Sequence, residues 1–297
     1  MLWQAWRADT RPSNDRIGKR YFAAGKKLRL TIPTAARIAR LAPQVRNWPF
    51  MLYKMLLPLL VCASLAFSQS TSLPAKETLH YNIEWRLFSA GKARIEINST
   101  PQPRPGFQTN LHLESTGIVS KLFKVEDDYS ANMNSDYCAQ SLQMTTNEGT
   151  RLRDTKITFD SEARKASYLE RDRAKNNAVV LQQETVIPPC VHDVIGGLFF
   201  IRTLNLEPGQ STQIPVSDGK KSVMVKVEAQ VREDVKTPLG TFKAIRYEIY
   251  LFNGVLYKRS AHVNVWVSDD RRRLPVQIRV RMTITIGTIN LLLEKHE

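Results

Sequence analysis

Apolar and polar residues alternate strictly through much of the chain between residues 78 and 297. The clearest case is residues 276–286, whose apolar positions are Val276, Ile278, Val280, Met282, Ile284 and Ile286. Residues 79–87 alternate in the same way, with Asn82 and Glu84 among the polar positions. Because successive side chains of a strand point to opposite faces, each such segment predicts a strand with one buried and one wet face. We expect about a dozen antiparallel strands, separated by turns rich in Gly, Pro and Asp.

The spacing of the apolar residues changes once, in the middle of this region. Apolar residues then fall at helical spacing, at Val194, Leu198, Ile201 and Leu204. Asp193 is placed to cap the first turn, so the pattern predicts a helix over residues 193–204. The neighbouring Gly196 and Gly197 would weaken an isolated helix by roughly 1 kcal/mol each. We therefore expect both glycines to allow close packing against a strand.

These patterns predict a mainly β fold: a large curved antiparallel sheet or half-open barrel with one central helix, after a cleavable signal peptide. Residues 78–297 are expected to form one domain, with two similar halves around helix 193–204. The apolar residues of helix 193–204 extend too far round its surface to leave a wide polar side. We therefore expect it to lie inside the curve of the sheet, as a permanent plug or as a lid over a ligand.

Residues 51–68, MLYKMLLPLLVCASLAFS, have the features of a signal peptide. Lys54 precedes an apolar run, which ends on small residues at Ala66 and Ser68. The run is about 13 residues long, and a membrane-spanning helix needs about 20. A buried core helix is the alternative interpretation. We expect export to the periplasm or the cell exterior, with residues 69–77 as a linker and no transmembrane segment in the mature chain.

Most of the positive charge lies before the signal peptide. Residues 1–50 hold eleven Lys and Arg against two acidic residues, and the whole chain carries +15. With Lys54 also removed, residues 69–297 retain +5. This mild charge, without a recognised binding motif, argues against nucleic acid as a partner. Residues 1–50 are expected to be disordered, or to precede a true start at Met51.

Few residues of the sequence suggest catalysis or metal binding. Cys138 and Cys190 are the only thiols after the signal peptide. An oxidising compartment would allow them to pair, but two separately buried thiols fit the sequence equally well. The run from Cys190 to Asp193 also contains His192, and such a cluster suits either a metal or nucleophile site or a simple helix cap. Neither a phosphate loop nor a dinucleotide, serine-hydrolase or zinc-protease motif is present. We assign no catalytic residue, no metal ligand and no cofactor.

The chain resembles the bacterial exported proteins grouped as domain of unknown function 3108. The residues that carry the resemblance are Leu79, Tyr81 and Trp85 with Ala90-Gly91, Asp193 with Phe199 to Leu204 and Gly209, Thr237 to Phe242, and Trp266 to Val276. The resemblance covers roughly residues 78–294. It implies an exported β-rich domain but no reaction. The stretch Trp266 to Pro275 is also loosely similar to strands of periplasmic lipoprotein carriers, whose curved sheet binds acyl chains.

Two functions from different classes fit these observations. The first is a non-enzymatic exported domain whose curved sheet binds a lipid, a glycan or an envelope protein; its candidate ligand-binding residues are Phe199, Phe200, Arg202 and Trp266. Arg202 would hold an anionic group or pair with an acid. The second is an envelope polysaccharide hydrolase with paired carboxylates at 126–128 (Glu-Asp-Asp) or at Asp269-Asp270. Because no catalytic constellation is evident, the binding function is favoured.

The signal peptide can be tested directly. Amino-terminal sequencing of the protein recovered from the periplasm should begin near Gln69, and residues 1–50 should be missing. An intact amino terminus found in the cytosol would reject both the signal peptide and export.

Overall fold

The computed structural model describes residues 73–86, 88–101, 105–282 and 287–297. The predicted signal peptide at 51–68 and the basic segment at 1–50 lie outside these residues. So does part of the strand expected at 276–286. The fold below is that of the described residues.

Fourteen strands and two α-helices make up this region, with a short 3-10 helix at Arg173–Lys175. The first eight strands are β1 (Lys76–Trp85), β2 (Phe88–Thr100), β3 (Gly106–Ser115), β4 (Val125–Asn134), β5 (Ala139–Glu148), β6 (Arg151–Asp160), β7 (Lys165–Asp172) and β8 (Ala178–Val186). The other six are β9 (Ser211–Ser217), β10 (Ser222–Thr237), β11 (Gly240–Ile249), β12 (Ala261–Ser268), β13 (Pro275–Met282) and β14 (Thr288–His296). Helix α1 (Gly117–Leu122) connects β3 to β4, and helix α2 (Val194–Thr203) lies between β8 and β9.

All fourteen strands belong to one antiparallel sheet. Its order is β8-β7-β6-β5-β4-β3-β2-β1-β14-β13-β12-β11-β10-β9. The chain thus forms two meanders, β1–β8 and β9–β14, which meet where β1 pairs with β14. Strands β8 and β9 are the two edges, and α2 lies in the connection between them. The predicted mainly β fold with a large open antiparallel sheet is confirmed.

The alternation of apolar and polar residues along each strand determines which face of the sheet is buried. In β1, Leu79, Tyr81 and Ile83 are buried, whereas the residues between them are partly exposed. Bulges interrupt the register of several strand pairs, among them β1 with β14 and β12 with β13. Bulges increase the local twist and bend a strand. The inner faces of both meanders pack with Leu198, Phe199 and Ile201 of α2 in one apolar core, as expected for a helix inside the curve.

The two ends of the sheet differ. The β1–β2, β3–β4 and β13–β14 turns lie together at one end, since the strands are antiparallel and in register. We call this the α1 end. The carboxyl terminus of α2 and the β12–β13 turn lie at the opposite end, which we call the plugged end. Neither of the helices in the described region is long and apolar enough to span a membrane.

An ion pair closes the plugged end. Arg202, in the last turn of α2, is fully buried and donates to both carboxylate oxygens of Glu77 in β1, at 2.5 and 3.0 Å. It also donates to the carbonyl oxygens of Arg273 (2.8 Å) and Arg272 (3.1 Å) in the β12–β13 turn. Arg273 donates in return to the carbonyl oxygens of Arg202 and Leu204. The end of α2 is thereby fixed to both meanders.

The amino terminus of α2 is fixed as firmly. A disulfide joins Cys138, in the β4–β5 turn, to Cys190, with 5.0 Å between their Cα atoms. Asp193 caps the helix: its Oδ1 accepts from two N–H groups of the first turn, at 2.9 and 3.1 Å, and from the hydroxyl of Tyr129 in β4. The backbone of His192 bonds to β9 in both directions. The helix is therefore anchored at each end.

Removing the counter-charge of Arg202 should be costly. Glu77→Gln leaves a buried guanidinium without an anion, so we expect the free energy of unfolding to fall by about 3–5 kcal/mol, measured by urea denaturation. The matched control is Glu126→Gln, whose ion pair with Lys124 is exposed to solvent; its urea midpoint should not change measurably. An unchanged midpoint for Glu77→Gln would contradict the role of this ion pair.

The disulfide should stabilise the fold because it closes a loop and so restricts the unfolded chain. Its cysteines are 52 residues apart, and a loop of that length corresponds to about 4 kcal/mol in the chain-entropy model. Reduction should therefore lower the urea midpoint. In the denatured, unreduced protein, peptide mapping after thiol alkylation should find neither Cys138 nor Cys190 labelled. Labelling of both would show that the bond is not formed.

Candidate functional site

An apolar cavity of about 140 Å³ lies between α2 and the inner face of the sheet. Seventeen residues line it, and sixteen of them are Val, Ile or Leu; the other is Gly197. Strands of both meanders and helix α2 contribute. The lining residues are Ile95, Leu111, Leu113, Val194, Ile195, Gly197, Leu198, Ile201, Ile214, Val216, Ile249, Leu251, Val263, Val265, Ile278, Val280 and Leu291.

The two glycines of α2 have different surroundings. A Cβ atom added to Gly196 would lie 2.8 Å from Oδ2 of Asp193 and 3.5 Å from the carbonyl oxygen of Tyr137. A Cβ atom added to Gly197 would meet only the Cβ of His192, at 3.8 Å. Gly196 thus makes room for the capping side chain of Asp193, and a close approach to a strand is found at neither glycine. Gly197 instead borders the cavity, and its missing side chain leaves part of that space open.

The cavity is partly open to its surroundings. Its aliphatic lining offers no hydrogen bond to water or to a polar ligand. The cavity is thus suited to a hydrocarbon group.

The apolar interior continues towards the α1 end. A smaller cavity of about 40 Å³ lies there, bordered by Ile83, Trp85 and Val119 among others. Leu113 lines both cavities. Val119 belongs to α1, so this short helix lies over the smaller cavity. Aliphatic side chains thus continue from the main cavity to α1. Buried carboxylates of Asp127 and Glu148 lie at the same end, on the inner faces of β4 and β5.

The four candidate ligand-binding residues lie outside the cavity lining. Phe199 is fully buried in the core, and Phe200 stacks on His192 with 4.3 Å between ring centroids. Of the two alternatives for Arg202, pairing with an acid is the one observed. Trp266 packs under Arg279 and donates its Nε1–H to a carboxylate oxygen of Glu233, at 2.7 Å. Contact of these four residues with a ligand stays a prediction.

The Cys190–Asp193 cluster is structural. Cys190 is in the disulfide and Asp193 caps α2. Nδ1 of His192 lies 2.7 Å from the carbonyl oxygen of Tyr137, and it must carry the proton because the carbonyl can only accept. Burial lowers the pKa of His192, which favours the neutral ring. Of the two interpretations of this cluster, the helix cap is the one observed.

The carboxylates at residues 126–128 do not converge. Glu126 and Asp128 lie on the outer face of β4, whereas Asp127 is buried on the inner face. Glu126 pairs with Lys124, whose hydrogen bond lowers its pKa. Asp128 lies 2.8 Å from Nδ1 of His112. A general acid needs a raised pKa and a facing second carboxylate, and Glu126 has neither.

The second acidic pair, Asp269-Asp270, is engaged by arginines. Asp269 accepts from Arg232 at 2.8 Å. Partial burial acts to raise the pKa of Asp270, but hydrogen bonds from Arg272 and Ser268 lower it overall. The two carboxylates are thus paired with arginines in the turn between β12 and β13. The candidate site is formed by the inward-facing aliphatic residues of the strands and of α2, together with Gly197, and not by the charged motifs.

Comparison with solved structures finds one with a TM-score of 0.50 and two with lower scores. A β-barrel-like protein of domain of unknown function DUF1849 from Brucella abortus has a TM-score of 0.50 at 8% identity, over 76% of this chain and 98% of that one. A Bacteroides fragilis protein with a YmcC-like fold has a TM-score of 0.33 at 10% identity, over 76% and 97%. A DUF1089 family protein from Pseudomonas aeruginosa has a TM-score of 0.32 at 13% identity, over 65% and 90%.

The sequence comparisons identify the family but not an activity. No curated protein matches the chain. Residues 80–294, nearly the whole of the sheet, match the family described as "Protein of unknown function (DUF3108)". The resemblance inferred from the sequence motifs is confirmed, and the chain belongs to this family.

Proposed function

We propose that the protein is an exported, non-enzymatic binding protein that holds a hydrocarbon chain of an envelope component in its cavity. The observation that carries this proposal is the cavity between α2 and the sheet, lined by sixteen aliphatic side chains and one glycine. Such lining is typical of sites for apolar ligands.

The lining decides the chemical class of the ligand. A polar group that entered the cavity would lose its hydrogen bonds to water and find only aliphatic side chains in exchange, which costs several kcal/mol. Each buried methylene group, in contrast, contributes about 0.8 kcal/mol. The enclosed part of the ligand is therefore an alkyl or acyl chain, and any polar head group lies outside the cavity.

Two observations support export. Residues 51–68 have the composition of a signal peptide. The Cys138–Cys190 disulfide suits an oxidising compartment such as the periplasm. The hydrolase alternative receives no comparable support, because its carboxylates are on different faces or paired with cations.

The two neighbouring glycines of α2 offer a sharp test. Gly197→Leu places a side chain in the cavity and should weaken binding of a fluorescent medium-chain fatty acid by at least about tenfold, since the ligand loses buried methylenes. The same change should raise the free energy of unfolding by about 1 kcal/mol, because leucine is the better helix former and its Cβ meets no close neighbour.

Gly196→Ala is the matched control. Its Cβ would collide with Oδ2 of Asp193 and disturb the cap, which should cost about 1 kcal/mol of stability. It leaves the cavity open, so fatty-acid affinity should stay near that of the native protein. Native mass spectrometry of the protein purified from its own periplasm provides the second measurement. Equal fatty-acid affinity in Gly197→Leu and native protein would reject the cavity as the binding site.

A further inference from the structure

Three large apolar side chains are exposed together at the α1 end. Phe88, at the start of β2, is 70% exposed, and Ile118 and Leu122 of α1 are 75% and 77% exposed. Ile118 and Leu122 are four residues apart and so lie on the same face of the helix. We call these three residues the rim patch.

The backbone brings the parts of the rim patch close to one another. The N–H of Thr116, the residue before α1, donates to the carbonyl oxygen of Ala90 at 2.9 Å. Phe88 is only two residues before Ala90, so it lies beside the start of α1. The three exposed side chains therefore lie at the same end of the sheet, on two neighbouring elements.

The rim patch lies over the apolar interior. Val119, which flanks Ile118 and Leu122 on α1, borders the smaller cavity, and this cavity shares Leu113 with the main one. Helix α1 has no buried residue, so few contacts hold it against the sheet. It therefore separates the cavity from the surroundings by a single thin layer.

Basic side chains flank the patch. Lys121 lies on α1 between the two apolar residues and makes no ion pair within the described part of the chain. Arg86 precedes Phe88 and lies over the ring of Trp85. Lys124 neutralises Glu126, at 2.8 Å. Exposed apolar side chains with a basic border are typical of proteins that bind the surface of an anionic bilayer.

We propose that the rim patch docks on an anionic lipid bilayer, with Phe88, Ile118 and Leu122 inserted among the acyl chains and Lys121 at the head groups. A bilayer fits better than a protein partner, since a stable protein interface buries about 800 Å² per side and needs a larger surface than three side chains. Docking would place α1 and the cavity beneath it against the lipid. This membrane partner goes beyond the proposed function. The evidence for it is the exposure and charge of the rim patch, not the cavity.

The edge strand β8 provides a matched control. Val186 is 79% exposed, close to the value for Ile118, but it lies on a strand away from α1. We would prepare Ile118→Cys and Val186→Cys in the processed chain that begins near Gln69, in which the disulfide leaves one reactive thiol. Each variant is labelled with an environment-sensitive fluorophore and mixed with phosphatidylethanolamine–phosphatidylglycerol vesicles, or with phosphatidylcholine vesicles.

The docking proposal predicts a local signal. The label at residue 118 should shift to shorter wavelength with the anionic vesicles, and the label at residue 186 should not. Leu122→Ser should weaken vesicle affinity by about tenfold through lost apolar burial. Lys121→Glu should weaken it by at least about fivefold on anionic vesicles and leave it unchanged on phosphatidylcholine. Val186→Ser should have no effect.

Several results would overturn docking. Equal shifts at both positions, or none at residue 118, would show that another part of the chain binds the vesicles. A shift at residue 118 that grows with protein concentration without vesicles would assign the patch to a second copy of the chain. The fatty-acid assay is separate: vesicle docking without fatty-acid binding would leave this site standing and remove only the cavity function.

Discussion

The buried ion pair of Arg202 with Glu77 fixes the position of α2 inside the sheet. Charges withdrawn from water are tolerated only where partners and hydrogen bonds replace the lost hydration. Arg202 finds these partners only where β1, the β12–β13 turn and the end of α2 come together. The disulfide and the cap at Asp193 hold the other end of the helix. A helix fixed at both ends cannot shift to fill the space beside Gly197, so the cavity persists.

This anchoring gives the interior a direction. Arg202 and its partners fill the space at the carboxyl terminus of α2, whereas aliphatic side chains continue from α2 to α1. A molecule with an alkyl tail and a polar head would therefore enter tail first from the α1 end and leave its head near the rim patch. In the proposed function, the cavity and the bilayer contact are two parts of one path for a single amphipathic molecule.

Much of the fold could be predicted from the sequence, and less of the site. Alternation correctly indicated strands at residues 79–85 and 276–282, the described parts of the two segments, and Asp193 indicated the start of the helix. Gly197 could not be assigned, because its role depends on which strands surround the helix, and the β1–β14 pairing joins segments far apart in sequence. Aromatic and charged residues drew attention to Phe199, Arg202 and Trp266, yet the cavity wall consists of ordinary aliphatic residues. Such residues carry no local signal that distinguishes a binding surface from a core.

The pairing of β1 with β14 has a consequence for the order of folding. Strand β1 is the first described strand and β14 is the last, so the middle of the sheet is completed only after the twelve strands between them have been synthesised. Until then β1 presents an unpaired edge that can recruit a wrong strand. Contacts this distant in sequence also make folding slow. Under the proposed export, a chain that has not yet completed its sheet would remain unfolded, as passage through a secretion channel requires.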